Sequence, residues 1–238
     1  MKLNADVGEG MGNDEALFRW IDMANIACGY HAGDTGLMAR TVDLAVTYGV
    51  AVGAHPGYRD REGFGRRSVA HLPGEIERLV LDQVEALDAV CREQGTQVQY
   101  VKPHGALYHD MMQRMDVLEE ILQALCKLAG KIPLMVMART QDAAEKLLAL
   151  KFGVPLLFEA FADRAYTDDG TLVDRSLEGA VFTTPGPMIA QARQIASQGS
   201  VTTASGKVLP LRADSICVHG DNEASIAAAK QIYLSLRT

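Results

Sequence analysis

The chain has 238 residues, 48% of them hydrophobic and 22% charged, with a formal net charge of −7. That balance suits one large folded domain over residues 1–238 and excludes a disordered chain. It also argues against nucleic acid as a partner, which asks for a basic face, and against a membrane, since no apolar run approaches the roughly 18 residues of a spanning helix.

Short apolar runs recur along the chain: KLNADV (2–7), MANIAC (23–28), GVAVGAH (49–55), VQYVKPH (98–104), IPLMVMA (132–138), VPLLFEA (154–160) and SICVHGD (215–221). Helical spacing fills the gaps at 35–48, 75–93, 115–129, 140–150, 186–198 and 222–236. Within 75–93, Ile76, Leu79, Val80, Val84 and Leu87 keep one apolar face, and Pro73 precedes them where a helix start tolerates it. Thr140 and Asp221 are the expected N-caps of their helices. Seven runs alternating with helices predict an α/β fold of parallel βαβ units, either an open sheet covered on both faces or a closed barrel. Residues 163–183 and 199–212 break the alternation, and YTDDGTL and TASGKVL within them predict hairpin turns inserted on that scaffold. The four cysteines form no CxxC pair, so reduced thiols are expected. With no basic and apolar leader before the first strand, the cytoplasm is the expected compartment.

Chemistry in parallel α/β folds gathers where strands end, and polar residues fall there repeatedly. The first run carries Asn4, Asp6 and then Glu9, and the second Asn25, His31 and Asp34. The third ends in His55, the fourth in Lys102 and His104. The sixth ends in Glu159, Asp163 and Arg164, the seventh in His219 and Asp221. One strand-end histidine is usually structural; four of the chain's six at corresponding places predict a shared site. Lys102 follows a buried strand and therefore needs an anionic partner, for which Asp6 is the candidate. Gly105 is read as leaving room for a ligand. The loop GYRDREGFGRR (57–67), with four arginines, suits a lid that grips an anion. GEGMG (8–12) reads as a tight turn, since it matches neither phosphate-loop pattern and no Walker motif occurs. Asp6, His31, His55 and His104 are the residues that would supply a metal site, but ligands from separate strands leave no signature, and no metal set is assigned.

Six blocks resemble the LamB/YcsF family, which supplies one component, the A subunit, of bacterial ATP-hydrolysing 5-oxoprolinases. They are LNADVGEG, NIACGYHAGD, VGAHPGYRDREGFGRR, VKPHGALY, FADRAYTDDGTLVDR and CVHGD, in the family's order from residue 3 to about 222. The resemblance implies an irregular seven-stranded β/α barrel, TIM-like and of the glycoside hydrolase/deacetylase kind. It implies cleavage of 5-oxo-L-proline to L-glutamate with ATP hydrolysis. ATP, with Mg2+ as its divalent metal, would be the cofactor, and separate B and C subunits the partners; a homo-oligomer is left open. On this reading Asp6, Lys102 and His104 are the expected catalytic residues. Asn4, Asn25, His31, His55, Arg66, Arg164, His219 and Asp221 are the expected substrate-binding ones. Two other classes stay open: a metal-dependent deacetylase working without ATP, and a component that binds substrate while a partner does the chemistry.

Overall fold

A computed structural model describes residues 1–12, 14–140, 142–219 and 223–237. The apolar runs become β1 (Lys2–Val7), β2 (Met23–Ala27), β3 (Ala51–His55), β4 (Tyr100–Val101), β5 (Leu134–Met137) and β6 (Leu156–Phe161). An antiparallel pair, β7 (Ser200–Thr202) and β8 (Val208–Pro210), precedes β9 (Ser215–Cys217). Seven strands close into a parallel barrel in the order β1-β2-β3-β4-β5-β6-β9, the last pairing back onto β1. These are the seven predicted runs in sequence order. The barrel is irregular because β4 is only 2 residues long and shares one paired position with β5.

The helices are α1 (Asp14–Phe18), α2 (Thr35–Tyr48), α3 (Glu75–Glu93), α4 (Gly105–Gln113), α5 (Met115–Lys127), α6 (Ala143–Phe152), α7 (Pro185–Gln198) and α8 (Glu223–Ser235). α3 buries Ile76, Val80, Val84 and Leu87 as its spacing predicts, each worth about 1.5–3 kcal/mol of transfer from water. Asp34 caps α2 by accepting from the Leu37 amide at 2.8 Å. Two helices fall outside the predicted stretches. α1 has only 5 residues, and α4 begins at a glycine directly after the strand exit, where helix propensity is poor. Thr140 is not the cap of α6; that position falls to Asp142. Asp221 lies outside the described residues.

The core has two layers. The outer one packs the barrel against its helices. The inner one plugs the barrel with Met23, Tyr100 and Met135. Gly53 makes room for this plug, since a Cβ there would lie 2.1 Å from the Tyr100 ring. The Tyr100 hydroxyl then donates to Asn25 Oδ1 at 2.7 Å, so the apolar plug passes directly into a polar layer. Both predicted hairpins form: Tyr166 bridges Leu172, and the Thr203 amide donates to the Lys207 carbonyl at 2.8 Å. Cys28, Cys91 and Cys217 are buried free thiols, and Cys126 is exposed. Among the described residues no helix is long and apolar enough to cross a membrane.

Candidate active site

Above the plug, β1, β2, β6 and the exit of β4 converge on one ammonium. Lys102 Nζ lies 3.1 Å from Asp6 Oδ1 and 3.1 Å from Glu159 Oε2. Burial alone would lower the lysine; the charge of Asp6, with that of Glu159, outweighs it and holds the group well above its ordinary value. Asp6 is the mirror case. Burial would raise it, and His55, Lys102 and His219 together keep it well below the usual carboxylate range. Two buried amides fix the pair. Asn25 donates to Asp6 Oδ1 at 2.7 Å and to Asn4 Oδ1 at 2.9 Å, while Asn4 donates to the Ser215 hydroxyl at 2.5 Å and to Glu159 at 3.4 Å.

Beside this network stand three histidines. His55 Nδ1 donates to the Lys102 carbonyl at 2.7 Å, and His104 Nε2 donates to the Phe64 carbonyl at 2.8 Å. Phe64 has φ 54, a strained value for a non-glycine residue, and it aims that carbonyl at the ring. His31 stacks on His104 with ring centroids 3.8 Å apart. Burial, then the neighbouring His55, pushes His31 and His104 down to about 3, so both rings are neutral. Glu9 completes the group, with Oε1 at 3.3 Å from His104 Nδ1 and 3.6 Å from His31 Nε2.

A cavity of about 980 Å³ opens over these residues. Its lining includes the cations Arg66, Arg164 and Arg175, together with His219 and Asp174. Arg164 donates to the carbonyls of Val173 at 2.7 Å and Ala180 at 3.3 Å, and burial, then the like charge of Arg175, lowers it to about 10. His219 Nδ1 bonds Asp163 Oδ2 at 2.7 Å and turns Nε2 toward Asp6 Oδ2 at 3.7 Å. Burial disfavours the imidazolium, but Asp163 prevails and raises His219 above its ordinary value.

The model of the LamB/YcsF family matches residues 1–238. The chain belongs to the LamB/YcsF family. A Vibrio vulnificus protein, named as the A subunit of 5-oxoprolinase, is 51% identical over 237 residues, covering 97% of this chain and 94% of that protein. One of the same name from Pseudomonas fluorescens is 48% identical over 235 residues, with coverage of 97% and 94%. The crystal structure of a lactam utilization protein from Thermus thermophilus matches with a TM-score of 0.90 at 35% identity, covering 100% of this chain and 96% of that one. A GH113 β-1,4-mannanase shares the barrel alone, at 11% identity and a TM-score of 0.55 over 100% and 98% of the two chains.

In this LamB/YcsF chain most of the expected site residues do converge. Asp6, His55, Arg66, Lys102, His104, Arg164 and His219 line one cavity. Asn4, Asn25 and His31 do not; Asn4 and Asn25 are fully buried and His31 is 1% exposed. Asn25 and Asn4 hydrogen-bond in the barrel interior to Asp6 and Lys102, and His31, in the loop after β2, stacks on His104, so all three touch the cavity-lining side chains rather than the cavity. The room kept by Gly105 is filled by protein. A Cβ there would lie 2.7 Å from the Gly65 carbonyl, so the glycine lets the 57–67 loop close onto α4. All four arginines of that loop make contacts within the protein, Arg66 lying 5.1 Å over the Phe64 ring. Arg61 donates to the Gly29 and Gly33 carbonyls, Arg67 pairs with Asp60, and Arg59 stacks on Tyr30. Arg66 is the one of the four that lines the cavity. Glu159 and Glu9 are visible in the sequence only as polar residues near strand ends. Arg175 lies in the 163–183 insertion and carries no signal of its own.

Proposed function

We propose that this chain is the A component of an ATP-dependent 5-oxoprolinase, opening 5-oxo-L-proline to L-glutamate as ATP becomes ADP and phosphate. The observation that carries the reading is Lys102, an ammonium at the cavity between two carboxylates, in a chain about half identical to proteins of that name. A five-membered lactam resists water because its nitrogen donates into the carbonyl. Phosphorylation of the lactam oxygen makes the ring carbon electrophilic. One water adds there, protonation of the ring nitrogen lets the C–N bond break, and the resulting acyl phosphate takes a second water to give glutamate and phosphate.

The residues suit those steps. Arg66, Arg164 and Arg175 are the cations that receive the substrate carboxylate. Lys102 faces the phosphoryl group and the oxyanion. Asp6 takes the proton of the attacking water through Oδ2, its Oδ1 being held by Lys102 and Asn25. His104, whose Nε2 is committed to Phe64, is the weaker choice of base. His219, its imidazolium favoured by Asp163, donates to the departing nitrogen. ATP with its Mg2+ is the co-substrate. The B and C proteins are the partners, in keeping with a chain that has no Walker loop.

The test measures glutamate released from 5-oxoproline by the chain alone and with the B and C proteins, with and without ATP. Glutamate should appear only with partners and nucleotide together. Release without ATP would move the assignment to an ATP-independent amide hydrolase. Full release from a complex carrying Lys102→Met would reduce this chain to a binding component.

A further inference from the structure

The histidines beside Lys102 present a hydrogen-bonding contradiction. The Lys102 carbonyl requires the proton of His55 on Nδ1, and the Phe64 carbonyl requires that of His104 on Nε2. If both rings are neutral, the remaining nitrogens, His55 Nε2 and His104 Nδ1, are lone pairs that face each other at 3.0 Å, and Asp6 Oδ2 stands 3.4 Å from the same His55 Nε2. Glu9 Oε1 adds another acceptor at 3.3 Å from His104 Nδ1. That oxygen and both nitrogens of His31 are buried without a hydrogen-bond partner. Four acceptor-bearing groups therefore meet around one point, with their donor atoms all within 4.8 Å of one another. A single proton relieves one pair only, and a water brings two protons to at least three acceptors. A cation satisfies all of them together.

We propose that Glu9, His31, His55 and His104 form a binding site for one divalent transition-metal ion of the zinc class. Three imidazoles and one carboxylate are the donor set of zinc and its neighbours, whereas Mg2+ prefers oxygen ligands and retained water. The backbone bonds of His55 and His104 are the outer partners that metal-bound imidazoles usually have, fixing tautomer and ring orientation. The strained Phe64 is explained on the same basis, since it supplies one of those carbonyls. Gly65 clears the approach: a Cβ there would lie 2.8 Å from His31 Cβ and 2.9 Å from His104 Cδ2. A bound ion of this class supplies Lewis acidity and lowers the pKa of a coordinated water. The site is separate from the Mg2+ that travels with ATP and does not depend on the ring-opening assignment.

The experiment uses the full chain, stripped with chelator and then titrated with Zn2+ by calorimetry and with Co2+ by visible absorption, with no 5-oxoproline or ATP present. One equivalent of Zn2+ should bind. Cobalt should give the d–d bands of a low-coordinate nitrogen-rich site, and Zn2+ should raise the melting temperature. Glu9→Gln and His55→Gln should each weaken binding by about a hundredfold, while His71→Asn, outside the cluster, should bind as the parent does. Circular dichroism confirms that each variant is folded. Should His55→Gln not fold, the near-isosteric Glu9→Gln decides alone. Substoichiometric uptake, equal affinity in parent and Glu9→Gln, or preference for Mg2+ over Zn2+ overturns the proposal.

Discussion

Withdrawing an ammonium from water costs several kcal/mol unless counter-charges replace the lost hydration, and Lys102 has two carboxylates at 3.1 Å. Lys102→Met keeps most of the stem but leaves Asp6 and Glu159 facing each other. It should cost about 3–5 kcal/mol in chemical denaturation and at least about a hundredfold in turnover by the assembled enzyme. Adding Glu159→Gln should restore much of the stability and none of the activity, a split that a purely structural lysine would not produce. His219 offers a second test. Its folded value is raised above 6.5 and that of Asp163 is lowered below 3.8. The histidine's stabilisation is therefore complete below pH 6.5 and lost as pH rises through the raised value. The aspartate's is complete above 3.8 and lost as pH falls through the lowered one. The stability gap between parent and His219→Gln should be widest between these limits and close on the alkaline side. Activity of the assembled enzyme should share that alkaline limb. At this scale the sequence marks which side chains reach the mouth. It does not separate those touching the cavity from those behind them, because both sit at strand ends and only the barrel's curvature tells them apart.

Between residue and barrel lie the connections, and here a helix side chain governs a loop. Gln83 is buried on α3 and pairs in both directions with Gly57, accepting from its amide at 3.0 Å and donating to its carbonyl at 3.0 Å. Its amide thereby stands in for a strand neighbour at the start of the 57–67 loop. Gln83→Ala should leave two backbone groups unpaired. Amide exchange across 57–67 should then accelerate while the barrel strands keep their protection, and equal acceleration in both would refute the clamp. A run of glycines and arginines looks mobile in sequence. Besides the local Asp60–Arg67 pair, the bonds that tie this one down come from Gln83, Asp110 and His104, none of which a local pattern reveals. α4 is hidden in the sequence for a related reason. Its buried Leu107, Tyr108 and Met111 lie among a glycine and two histidines that suggest a loop.

At the scale of the molecule, the seven barrel strands are legible because each is a compact apolar run bounded by helical spacing, and parallel pairing leaves such runs little else to form. Closure itself is not legible from the pattern, since an open sheet and a barrel share it; it rests on β9 pairing with both β1 and β6. The same closed and doubly layered packing has a practical consequence through the cysteines. Burial pushes Cys28 and Cys91 up to about 12 and Cys217 well above its ordinary value, so these thiols are both shielded and uncharged, while Cys126 is exposed on α5. A maleimide dye should therefore label the native chain once, at Cys126, as peptide mass mapping would show, with the other three reacting only after denaturation. The fold thus comes with a single attachment point on its outer helices, ready for a fluorescence reporter of complex formation without any cysteine being engineered.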